Sequence, residues 1–113
     1  MESILTSIKK LLGIAEEYEH FDQDLIMHIN SVFMILTQLG VGPSTGFMIT
    51  DAAASWDDFL VNGEKNLEAI KTYVYLKVKL AFDPPSSSSN TELYKSLVSE
   101  LEWRLNVNAE SSK

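Results

Sequence analysis

The chain of 113 residues contains no cysteine. That excludes a disulfide framework, a thiolate zinc site and a thiol nucleophile. Three prolines and five glycines leave little turn chemistry outside a few clusters, and only two histidines are available for metal or proton chemistry. No long uninterrupted apolar run exists, because Lys77 and Lys79 break the most apolar region, so no membrane association is expected. The opening MESILTSIKKLLG has too short an apolar stretch and the wrong flanks for a signal peptide, which points to a soluble intracellular protein. Basic residues are scarce too: nine against sixteen acidic ones give a net charge of −7. Such a balance repels nucleic acid instead of gripping it through phosphate neutralisation.

What remains is an ordinary globular composition, 45% hydrophobic and 22% charged, sufficient for one domain. Four stretches carry helical periodicity. Ile4, Leu5, Ile8, Leu11, Leu12 and Ala15 share a face, with Lys9 and Lys10 near the C-terminal end, where the helix dipole favours cations, and Gly13 as a stop. A second helix has Asp22 as its cap, Phe21 and Ile26 as a hydrophobic staple, and Gly40 just past its end. Its core stripe is Leu25, Ile29, Val32, Phe33, Leu36 and Leu39, while Met27 and Met34 lie opposite and call for a second contact surface.

The third helix, about Lys65 to Phe82, is stopped by Asp83-Pro84-Pro85. It is apolar on two sides: Leu67, Ile70, Val74, Val78 and Ala81 form one face and Ala69, Tyr73, Leu76 and Leu80 the other. PPSSSSN reads as a flexible connector. The fourth helix starts near Asn90 or Thr91, with Leu93, Tyr94, Leu97, Val98, Leu101 and Leu105 as its stripe and Trp103 pointing elsewhere. Between the second and third helices, residues 40 to 63 combine GVGPSTG, the apolar FMIT and a capped turn with Ser55 as N-cap and Asp58 at the box position. A loop this long is expected to be functional or mobile. The expectation is an all-α small bundle of about four helices with a long central loop, one domain over 1–106 and a frayed tail over 107–113.

The densest chemistry is EEYEHFDQDLIMHI, residues 16 to 29, where Asp24 and His28 are stacked four residues apart and His20 or Asp22 stand nearby as further ligands. No matching motif occurs on another helix, as a di-metal bundle site requires. Capping and dipole roles account for the same carboxylates, so no metal and no cofactor is assigned. Serines 86 to 89 have no histidine and aspartate partners, and GVGPSTG lacks the lysine and spacing of a phosphate loop. A non-enzymatic role follows. The aromatic and methionine side chains suggest contacts instead: Met27, Met34, Tyr73, Leu76 and Leu80 for a subunit interface, and Phe47, Met48, Trp56 and Trp103 for docking a partner. For Trp56, burial under a folded-back loop is an equal alternative.

The stretch IKKLLGIAEEYEHFDQDLIMHINSVF, residues 8 to 33, resembles the opening of the head-tail connector (head-completion adaptor) proteins of HK97-like tailed bacteriophages. Lys9, Leu11, Leu12, Ile14, Asp22, Leu25 and Ile29 carry the likeness, and NLEAIKTYVYLKVKLAFDPP, residues 66 to 85, is similar to the later helix of that family. The resemblance implies a structural subunit of a ring beneath the portal protein, extending a channel through which DNA passes without specific binding, and receiving a stopper or tail protein. It implies a virion location, with host cytoplasm during assembly. The alternative is a small helical regulatory or protein-interaction domain.

Overall fold

The computed structural model describes residues 3–60 and 67–111. It contains five helices: α1 (Ile4–Leu12), α2 (Asp22–Gln38), α3 (Trp56–Phe59), α4 (Leu67–Phe82) and α5 (Ser88–Ser111). Among the described residues there is no strand, only an isolated bridge between Ser3 and Ser55. The all-α bundle is thus as expected, with the capped turn at Ser55 forming a short helix of its own. The Ser55 N–H donates to Asp58 Oδ2 at 2.9 Å, as the box pattern requires.

Helix α4 is the centre of the bundle. It packs against α2 on one side and α5 on the other, with α1 also in contact, which is why its sequence is apolar on two faces. Ile70, Tyr73, Val74, Leu76 and Val78 are all buried. The expected start at Lys65 lies outside the described residues. α2 runs antiparallel to α4: Phe21 at the head of α2 stacks edge-on against Phe82 at the foot of α4, with ring centres 5.2 Å apart. Its expected stripe is buried from Leu25 to Leu36. Gly40 ends it at φ +84°, and the Val41 N–H returns to the Leu36 carbonyl at 2.9 Å, closing off an otherwise orphaned acceptor.

Four expectations are corrected. Asp22 does not cap α2; its carboxylate lies 2.8 Å from Lys9 Nζ, and Phe21 occupies the cap position. Lys9 lies in the last turn of α1, as expected, yet is only 2% exposed. Its ammonium also donates to the carbonyls of Glu16 and Tyr18 at 2.9 and 2.7 Å, so one buried charge ties down the acidic linker. Leu11, counted in the core face of α1, is exposed. Finally, α5 begins at Ser88, inside the serine run, because the Ser87 hydroxyl accepts from the Asn90 N–H at 3.1 Å and acts as a local cap. The same helix continues through Val107 to Ser111, where fraying was expected, with Asn106 Nδ2 donating to the Leu39 carbonyl at 3.4 Å.

The central loop, expected to be functional or mobile, is anchored over its described residues. Asn30 on α2 holds Ile49 from both sides: its Nδ2 donates to the Ile49 carbonyl at 2.9 Å and its Oδ1 accepts from the Ile49 N–H at 2.8 Å. Phe47 packs edge-on against Phe33 and Phe59, at 5.1 and 5.3 Å between ring centres. Trp56 is fully buried and donates from Nε1 to the Ser7 hydroxyl at 2.9 Å, joining α3 to α1. A side chain at Gly42, φ +85°, would lie 2.5 Å from the Phe59 ring, so both backbone angle and space demand glycine there.

Candidate interaction surfaces

Burial divides the residues expected to make contacts. Tyr73 and Leu76 are buried in the chain's own core, and so is Trp56. For Tyr73 and Leu76, expected at a subunit interface, the cause is that α4, packed against both α2 and α5, uses both of its apolar faces internally, and for Trp56 the burial alternative is the one the fold adopts. Phe47 is half-buried in the aromatic cluster. Leu80 is half-buried and lines a shallow groove between α2 and α4, with His28, Ser31, Val32, Ile35, Lys77 and Ala81.

Met27, Met34, Met48 and Trp103 do reach solvent, at 60%, 61%, 71% and 65% exposure. Met27 and Met34 stand seven residues apart, and so on one exposed face of α2. Trp103 lies on α5, beside Ala69 and Val107. Unbranched thioethers and an indole are among the side chains that interface cores enrich. Leu93 and Leu97 are also exposed, at 53% and 38%, although the sequence reading placed them in the core stripe of α5. The signal was present: Leu93 is five residues from Val98, a rotation of ~140° on a helix, so both cannot face α4.

Among the described residues no three His, Asp, Glu or Cys side chains form a metal cluster. Asp22 is engaged by Lys9, and His20 stacks between Tyr18 and Phe21, with ring centres 6.0 and 4.9 Å away. Two tyrosines have perturbed acidity. Burial pushes the Tyr73 phenol well above its ordinary 10.0, and the Glu102 carboxylate adds to the shift. Tyr75 is raised as well, by burial and then by its neighbour Tyr94. Both lie at the α4–α5 seam, where the neutral phenol is the form that packs.

The arrangement is that of an all-helical module whose notable exposed groups are apolar. The sequence profile of the family described as phage connector protein matches residues 4–112, and the chain belongs to that family. No curated protein and no solved structure matches it. Among the described residues, no helix is long and apolar enough to cross a membrane.

Proposed function

We infer that the chain is a structural, non-enzymatic connector subunit at the head-tail junction of an HK97-like phage particle. Copies of it associate into a ring beneath the portal protein, extend the DNA channel, and receive a tail or stopper protein. Family membership over nearly the whole chain is the observation that carries this reading. The exposed Met27 and Met34 on α2 and Trp103 on α5 support it, because interface cores enrich such side chains. In this assignment Met27, Met34 and Leu80 serve the subunit contact, and Met48, the rim of Phe47 and Trp103 serve the portal or tail. A net charge of −7 suits a channel component, since a weakly repulsive wall lets DNA pass without adhering.

Native mass spectrometry of the purified protein, alone and with the portal protein from the same genome, tests the proposal. A defined ring, or a monomer that assembles only on the portal, is expected. A monomer indifferent to the portal would overturn it and leave a helical interaction domain with a different partner.

A further inference from the structure

Two stripes that reach solvent in this fold, with His28 and Ile35 on the first only partly exposed, have matching patterns. On α2, Asp24, His28, Ser31 and Ile35 follow one another at intervals of four, three and four, and so lie along one face. On α5, read backwards, Arg104, Glu100, Leu97 and Leu93 follow at the same intervals. Laid antiparallel, the two stripes bring Asp24 to Arg104 and His28 to Glu100. The remaining partners are Ser31 with Leu97 and Ile35 with Leu93. Charge meets opposite charge or a hydrogen-bonding imidazole at one end, and apolar surface gathers at the other.

The two stripes of a single chain do not meet. α4 lies between α2 and α5, and the groove beside His28 and Ser31 is lined by α2 and α4 residues alone. We propose, building on the ring reading above, that the α5 stripe of one copy seats antiparallel in the α2–α4 groove of the next. Lys77 on the α4 wall of the groove adds a second cation for Glu100. Met27 and Met34 flank the seated helix and cover Leu97 and Leu93 with adaptable side chains. Glu100 already pairs with Arg104 in its own chain at 2.9 Å, but both are more than half exposed, so exchanging that pair for intermolecular ones costs little. The donor and acceptor surfaces differ, which makes the contact head-to-tail and able to propagate until a ring closes. The Asp24–His28 pair, which has the spacing of a metal site, thus acquires a role in recognition.

The absence of native cysteine permits a direct test. A Ser31→Cys, Leu97→Cys double variant is treated with a short bis-maleimide under conditions in which the wild-type protein assembles, alone or with its portal. A Ser31→Cys, Ser99→Cys variant, with Ser99 on a different face of α5, is the control. A ladder of covalent oligomers from the first variant alone is expected, and Leu93→Asp should weaken assembly by roughly tenfold or more without unfolding the monomer. Assembly without the ladder, or equal ladders from both variants, would overturn this pairing while leaving the connector reading intact. No assembly of the wild type, even with portal, would overturn both.

Discussion

The central loop and α5 invert the usual relation between regular structure and firmness. Residues 40 to 55 form no helix or strand, yet Val41 and Ile49 are buried, Asn30 holds the backbone twice, and Phe47 joins an aromatic cluster with Phe33 and Phe59. α5 is the longest element at 24 residues, yet only Val98 and Leu105 among its described side chains are buried. Hydrogen bonds inside a helix satisfy its backbone without attaching it to anything; attachment comes from side-chain burial. Irregular backbone has no such internal solution, so its polar groups must be met by the rest of the protein. The loop is therefore fixed by necessity, and α5 is free to offer an outer face to a neighbour.

The sharpest way to break this comparison is Gly42→Ala. A left-handed backbone angle costs an alanine about 1 kcal/mol, and the clash with Phe59 adds overpacking strain, for a total loss of roughly 2–4 kcal/mol in chemical denaturation. A loss below about 0.5 kcal/mol would show that the loop yields easily and is not an anchor.

A smaller effect comes from the α4–α5 seam. Because the folded Tyr73 phenol holds its proton above the ordinary 10.0 of the unfolded chain, the native state binds more protons than the unfolded state once pH exceeds about 10. Stability is then fully present below pH 10 and falls as pH rises beyond it, at up to about 1.4 kcal/mol per pH unit for this one group. Tyr73→Phe should flatten that decline, leaving the weaker contribution of Tyr75. An unchanged slope in urea titrations between pH 9 and 11 would mean that the seam opens to water.

Trp103→Ala should have the smallest effect on the fold, within about 0.5 kcal/mol, since the indole is exposed. Assembly with portal or tail protein should weaken all the same. A large loss of thermal stability would move Trp103 from the proposed docking surface into the core and narrow the contrast between α5 and the loop.

Much of the fold was legible in one dimension because helices declare themselves by periodicity. The stripe from Leu25 to Leu36, the glycine stop at residue 40, the two-faced α4 and the Ser55 box depend on neighbours within a turn or two. The candidate surface was legible only in part. Trp103, Met27 and Met34 stood off their own stripes and are exposed, whereas Tyr73 and Leu76 looked equally available and are buried, and Trp56, for which burial was an equal alternative, is buried too. An apolar residue off one stripe is exposed only if no second element covers it, and that depends on which helices become neighbours. Lys9 shows the same limit with a charge: its burial follows from carbonyls seven and nine residues on and a carboxylate on the next helix, none of which a helical pattern contains.

The sequence alone determined the helix content, the absence of cysteine chemistry, the acidic balance and the likeness to phage connectors, since each is a property of composition or local spacing. Tertiary structure decided which apolar faces were left over. Burial is shared between elements distant in the chain, and only their packing shows that α4 spends both of its faces internally while α2 and α5 each keep one turned outward.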